Sequence, residues 1–322
     1  MNRLAQAVLF YFRKGKQKMK RLLALTLALL LALGLAACAS VTPAADVSVA
    51  SASAATSAAG SASGQTVPTG VEDGVLTVAM ECAYAPYNWS QPDDSNDAVP
   101  IKDSSEYANG YDVMMAKKLC EANGWKLEVV RLDWDSLIPA VQSGTVDAII
   151  AGQSMTAERA EQVDFAGPYL YASIVCVTLK NSKFASAKGI SDLSGGTCTS
   201  QMGTIWYDTC LPQIQGAKIQ TASESAPAML MALETGTVDF ICTDMPTAQG
   251  AVIAYPDMTI LDFTNSSDNF QVSDEDINIG ISVMKGNTYL KDAMNSVLSK
   301  MTADDFNKLM AQATAIQPVS NG

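Results

Sequence analysis

Two stretches of this chain are written on one plan. Residues 142–152 read QSGTVDAIIAG and residues 234–244 read ETGTVDFICTD. In each, helix-compatible residues run up to a Gly, which ends a helix cheaply because it accepts the left-handed conformation. Thr-Val-Asp then leads into an apolar run short enough to be a buried strand. A helix end, a glycine turn and a strand in fixed order make one αβ unit, and two copies restrict the fold to two similar α/β lobes. Open α/β sheets bind ligands outside the carboxyl ends of their strands, so a ligand cleft is expected where these two runs end.

The rest of the chain fits that frame. Apolar alternation predicts a strand at 75–80, a long polar loop at 90–109, and a helix opened by Gly110-Tyr111-Asp112 and closed by Asn123-Gly124. A strand at 126–132, a helix started by Trp134-Asp135-Ser136, a strand at 146–151, a helix around 157–163 and a strand at 172–179 follow. The order then begins again with a strand at 196–200, a helix at 204–214, a strand at 218–221, a helix at 225–234 and a strand at 238–243. A strand at 277–283 and helices at 289–301 and 304–312 close the chain. Strands alternating with helices imply an α/β class with mixed, mostly parallel sheets flanked by helices.

The N-terminus belongs to a different class of segment. Arg13, Lys14, Lys16, Lys18, Lys20 and Arg21 precede RLLALTLALLLALGLAACAS, the basic and apolar regions of an export signal over residues 1–37. The apolar stretch falls short of the ~20 residues a spanning helix needs. Leu35-Ala36-Ala37-Cys38 resembles a bacterial lipobox, in which Cys38 receives lipid and becomes the mature N-terminus. Met19-Lys20-Arg21 offers an alternative start to Met1. Residues 39–70 contain no aromatic residue and Asp46 as their only charge, so residues 38–71 read as a tether unable to bury a core.

Removing the leader leaves 14 Lys+Arg against 33 Asp+Glu, a net charge near −19 without any basic stripe, which argues against nucleic acid as a partner. The chain has no His, which excludes Ser–His and Cys–His nucleophile pairs and His-based metal sites. Cys82, Cys120, Cys176, Cys198, Cys210 and Cys242 form no CxxC pair, so neither a metal nor a cofactor is expected. Export permits disulfides, but spacing does not choose among pairings. Cys176 and Cys242 sit in apolar runs and read as buried free thiols.

The successive segments TVAMECAYAPYNW, GYDVMMAKKLCEANG, WDSLIPAVQSGTVDAIIAGQSMTAERAEQVDFAGPY, SQMGTIW, VDFICTD and IGISVMKGN resemble those of the polar-amino-acid substrate-binding proteins of ABC transporters, bacterial solute-binding protein family 3. The resemblance covers residues 74–315 and implies a periplasmic-binding-protein type II fold. Lobe 1 would take residues 72–177 and 274–322, lobe 2 residues 178–273, with a two-strand hinge. It further implies a monomeric lipoprotein on the outer face of the cytoplasmic membrane that delivers an amino acid to permease subunits.

Residue by residue, the resemblance gives Arg159 the ligand α-carboxylate as a bidentate fork, a geometry Lys lacks. Gly152 and Ser154 would hold the ammonium and carboxylate, and Gly203, Thr204 and Ile205 would offer backbone N–H groups from lobe 2. Asp244 would pair with the α-ammonium, Tyr84 and Trp134 would sandwich the aliphatic part, and Glu81 would read the far end of the side chain. Thr156 is expected to cap a helix. Trp89 either lines the pocket mouth or covers the 91–109 insert, which is long for the family and sits beside the site. Plainer roles stand beside these: an ion pair for Arg159, a helix cap for Asp244, core packing for the aromatics and a lobe-edge carboxylate for Glu81.

A transport receptor is the expected function. An enzyme of the cyclohexadienyl dehydratase kind shares the fold, but the two carboxylates of the clamp motifs already have binding roles. A sensory ectodomain is the third reading, and no membrane-spanning run follows residue 284.

Overall fold

The computed structural model describes residues 67–318; the leader, Cys38 and most of the tether lie outside them. The chain first builds β1 (Val75–Met80), β2 (Ala83–Tyr84), β3 (Asn88–Gln91), β4 (Val99–Pro100), β5 (Tyr107–Asn109), α1 (Tyr111–Asn123) and β6 (Lys126–Arg131). Next come α2 (Leu137–Ser143), β7 (Ala148–Ile149), α3 (Ala157–Gln162), β8 (Val163–Tyr171), β9 (Ile174–Leu179), β10 (Thr197–Thr199) and β11 (Lys218–Ile219). Then follow α4 (Ala226–Glu234), β12 (Phe240–Asp244), α5 (Met245–Ala254), β13 (Met258–Leu261), α6 (Asp274–Ile277), β14 (Asn278–Met284), α7 (Thr288–Leu298) and α8 (Ala303–Ile316).

The repeated Gly-Thr-Val-Asp does the same work in both lobes. Gly144 and Gly236 sit at φ of 73° and 70°, ending the turns after α2 and α4. The following Asp then fastens the first of the parallel strands of its own sheet, β1 or β10. Asp147 accepts the Thr77 N–H at 2.7 Å and returns its own N–H to the Thr77 carbonyl at 2.9 Å. Asp239 repeats this with Thr197 at 2.7 and 2.8 Å. The two aspartates are therefore structural, one at the base of each lobe.

Two five-stranded sheets result, in the orders β6-β1-β7-β14-β8 and β11-β10-β12-β9-β13. In the first, β6, β1 and β7 run parallel and β14 and β8 add antiparallel. In the second, β11, β10 and β12 run parallel and β9 and β13 add antiparallel. The sheets are mixed: half of the pairings are parallel, and in each sheet four of the five strands run one way, with only β14 or β9 reversed. The reversed strands are those that carry the chain between the sheets, where no crossover helix turns them parallel.

The chain leaves the first sheet after Tyr171 and returns to it at Asn278. Those two passages touch, since the Ala172 N–H donates to the Ile277 carbonyl at 3.2 Å. Residues 174–177, placed with lobe 1 by the sequence, are hydrogen-bonded into the second sheet as part of β9. Their apolar run reads equally well as either sheet's strand. Near the other boundary, residues counted with the tether are fastened to the first lobe. Val71 is buried, and Asn287 Nδ2 donates to the Thr69 carbonyl at 3.0 Å.

Three further elements depart from expectation. β8 was hidden by Gly167-Pro168, which breaks strand patterns, and its register with β14 shifts between Ile279 and Ile281. The 91–109 insert is no simple loop. β2, β3, β5 and β4 form a small antiparallel sheet. It is fastened to the edge of β6 by Lys102–Glu128 and Arg131–Glu106 ion pairs at 2.7 and 2.5 Å. Residues 204–214 make a π-helical turn over Trp206–Cys210 and a 3₁₀ turn over Leu211–Gln213 rather than an α-helix. Pro212 has no N–H to continue an α ladder there. The six cysteines among the described residues are buried free thiols, and Cys176 faces Cys242 across β9 and β12.

Candidate ligand-binding site

Strand ends and the turns after them supply the site. β7 runs out into the 151–156 turn, where Gly152 at φ 64° lets the backbone pass under Tyr84; a Cβ there would lie 2.8 Å from Tyr84 Cε1. Tyr84 in turn stacks on Tyr87, ring centroids 4.8 Å apart. Thr156 caps α3 as expected, its Oγ1 accepting the Arg159 N–H at 3.3 Å. That cap places Arg159 on the first turn of a short helix, facing the other lobe.

The Arg159 guanidinium lies 5.3 Å from the Trp134 ring centroid. It donates to the Ser154 carbonyl at 2.9 Å and, across the cleft, to the Gly203 carbonyl at 2.8 Å. No carboxylate among the described residues pairs with it, whereas Arg131 is paired with Glu106. Desolvation pulls Arg159 down to about 10, against the opposing pull of Glu158 and Asp208, so it is still charged at neutral pH.

In the second lobe β12 ends at Asp244, which caps α5. Its Oδ1 accepts the Thr247 N–H at 2.8 Å and its Oδ2 the Thr247 hydroxyl at 3.1 Å. Tyr84, from the first lobe, donates its hydroxyl to Oδ2 at 2.5 Å. Asp244 is wholly buried, and burial raises it above the ordinary carboxylate range. Cap and cross-lobe contact coexist on one carboxylate.

Glu81, at the end of β1, is 7% exposed and accepts from Gln201 Nε2 of the second lobe at 3.1 Å. Burial, and then Asp133, Asp112 and Asp135, push its carboxyl up to about 7. Here a carboxylate is held where no cation among the described residues pairs with it.

Six of the nine expected residues line one cavity of about 10 Å³: Tyr84, Trp134, Gly152, Ser154, Arg159 and Thr204. The other three stand one hydrogen bond behind its lining. Asp244 is joined to Tyr84, Gly203 to Arg159, and Glu81 to Gln201. Gln201, Ile205 and Trp206 complete the lining. Gln201 went unread because a neutral amide carries no charge signal; its one clue was adjacency to Met202-Gly203-Thr204. Trp89 is buried and bonds Gln91 at 3.1 Å, so it covers the insert. The turn at 203–205 meets Arg159 through the Gly203 carbonyl. Gly152 spends its N–H on the Tyr169 hydroxyl at 3.0 Å.

This arrangement sets one cationic fork and one buried carboxylate on opposite lobes, each satisfied only by neutral groups. Their charges are complementary to those of a zwitterion. No group of three or more metal-ligating side chains occurs among the described residues. No helix among them is long and apolar enough to cross a membrane.

Comparison with known proteins points to one family. The model of the bacterial extracellular solute-binding proteins, family 3, matches residues 76–313. A probable histidine-binding protein of Campylobacter jejuni is 31% identical over 183 residues, 57% of this chain and 65% of that relative's length. An ancestral arginine-binding protein, solved with arginine, is 28% identical with a TM-score of 0.59, covering 74% of this chain and 97% of its own. The ancestral amino acid-binding protein AncCDT-1, a precursor of cyclohexadienyl dehydratase, is 26% identical with a TM-score of 0.61, covering 76% and 97%.

Proposed function

The chain belongs to family 3 of the bacterial extracellular solute-binding proteins, and from that premise we propose that it captures a free L-amino acid between its lobes and delivers it to an ABC-type permease. The observation that carries this reading is the pair of unmatched groups: Arg159 on one lobe and Asp244 on the other, neither ion-paired among the described residues. An α-carboxylate takes the Arg159 fork in place of a backbone carbonyl, and an α-ammonium takes the Asp244 carboxylate. Tyr84 and Trp134 flank the aliphatic part, with Gly152, Ser154, Gly203 and Thr204 shaping the gap.

Glu81 reads the side chain. Its carboxylate stands among Asp112, Asp133 and Asp135, a setting that favours a cationic or donor-rich end. The arginine- and histidine-binding names among the similar proteins support the same direction. Lipid on Cys38 anchors the protein at the outer face of the membrane, within reach of its permease. The protein acts as a binder rather than an enzyme, because both clamp carboxylates are engaged in holding the ligand and no His is present.

A thermal-shift screen of the twenty L-amino acids with cystine and ornithine tests this, L-arginine being the first probe. At least one raises the melting temperature, and Arg159→Ala abolishes the shift. Unchanged affinity in that variant would remove the carboxylate assignment, and turnover of prephenate or arogenate would replace the receptor with an enzyme.

A further inference from the structure

Asp112 is fully buried in the first turn of α1 and lies outside the clamp described above. Its Oδ1 accepts the Tyr169 hydroxyl at 2.7 Å and its Oδ2 accepts Asn88 Nδ2 at 2.8 Å. Each of these partners holds one ligand-facing segment. The Tyr169 hydroxyl accepts the Gly152 N–H at 3.0 Å, and Asn88 Oδ1 accepts the Cys82 N–H at 2.7 Å. Gly152 and Cys82 both adopt the left-handed conformation, at φ 64° and 54°. That conformation is costly for Cys82, which carries a Cβ, and it persists only where neighbours fix it. Cys82 follows Glu81 directly, and Gly152 opens the turn that leads to Ser154. Two left-handed turns, one of them strained at Cys82, are thus pinned through partners whose hydrogen bonds end on one carboxylate.

We propose that Asp112 is a positioning residue that sets the spacing between the Glu81–Tyr84 segment and the Gly152–Ser154 segment, and with it the reach from the ligand's α-carbon to its side-chain end. The proposal rests on the amino-acid reading for what the spacing serves. The ionised carboxylate accepts from both donors. The protonated form turns one oxygen into a donor and releases either Tyr169 or Asn88. The groups facing Asp112 are Tyr169, Asn88, Tyr87, Tyr111, Glu81, Cys82 and, from the second lobe, Asp244. None of them is a cation. Burial accordingly pushes Asp112 up to about 6, within reach of mild acid.

The test follows the Gly152 and Cys82 amide resonances of the ¹⁵N-labelled protein by NMR through Asp112's value of about 6. Both move with one midpoint in the wild type, and neither moves in Asp112→Asn. The same titration in Glu81→Gln removes the neighbouring carboxylate as the source and leaves the shared midpoint in place. Tyr169→Phe frees Gly152 while Cys82 still titrates. L-Arginine affinity, measured by calorimetry, drops about tenfold in Asp112→Asn, as expected for losing a hydrogen bond to a charged group. Amides that titrate independently, or that still titrate in Asp112→Asn, overturn the proposal. Coupled amides in a protein that L-arginine does not bind leave Asp112's anchoring role intact and count against the arginine reading instead.

Discussion

Replacing Glu81 with Gln makes the protein more stable at alkaline pH and a poorer binder. Glu81 is 7% exposed and has one donor, Gln201, so its charge is weakly compensated. Its carboxyl sits at about 7 where the ordinary value is 4.5. A raised value in the folded state means that the native protein holds this proton more tightly than the unfolded chain. The stabilisation from that proton is complete below about 4.5 and is lost as pH rises through about 7. At about 1.4 kcal/mol per pH unit, the gap amounts to about 3 kcal/mol at pH 8 as an upper figure. The amide introduced by Glu81→Gln would keep an oxygen for the Gln201 donor and carry no charge. The variant therefore melts near the wild type at pH 5 and several degrees above it at pH 8, given about 2–4 °C per kcal/mol for a domain of this size. Asp164 and Asp239, whose carboxyls are held below the ordinary 3.8, titrate outside this window. Calorimetric melts at the two pH values, paired with L-arginine titrations, measure both effects. A variant less stable than wild type at pH 8, or a difference that ignores pH, refutes the reasoning that an uncompensated charge is kept there for a ligand.

Two other substitutions separate the site from its surroundings. Gly152→Ala forces a Cβ to within 2.8 Å of Tyr84 at φ 64°. It costs about 1–3 kcal/mol of stability by denaturant titration and weakens amino-acid binding, because Tyr84 must shift. Arg131→Ala removes an ion pair with Glu106 whose side chains are 42% and 41% exposed. It costs about 1 kcal/mol or less and leaves affinity unchanged, in contrast to Arg159→Ala.

The two-lobe architecture was legible because Gly-Thr-Val-Asp binds local and tertiary structure together: the glycine ends a helix, and the aspartate locks the first parallel strand of its sheet. Arg159 and Asp244 were legible through family motifs, and their isolation from opposite charges came only with the structure. What escaped sequence reading was polar and buried. Asp112 looks like any acid in a helix's first turn, and Tyr169 like any core aromatic, until their hydrogen bonds to Gly152 and Asn88 are seen. The small sheet that the insert completes escaped because its strands are two to four residues long, too short for alternation to register. β8 escaped because Gly167-Pro168 interrupts the run, a break the protein absorbs as a register shift.

The way the chain visits its two sheets also bears on how it acquires them. All strands of the second sheet lie in one uninterrupted run from β9 to β13, whereas the first sheet lacks β14 until that run has been made. A chain emerging amino-terminus first thus has the parts for its second lobe before it can finish its first. Folding of that lobe draws Ser173 and its neighbours against Met245 at 2.9 Å and shortens the path between the chain segments flanking it. The long loop that β8 and β14 would otherwise have to close becomes a short one, with a smaller entropic barrier. The inserted lobe serves as an assembly jig for the lobe that surrounds it in sequence.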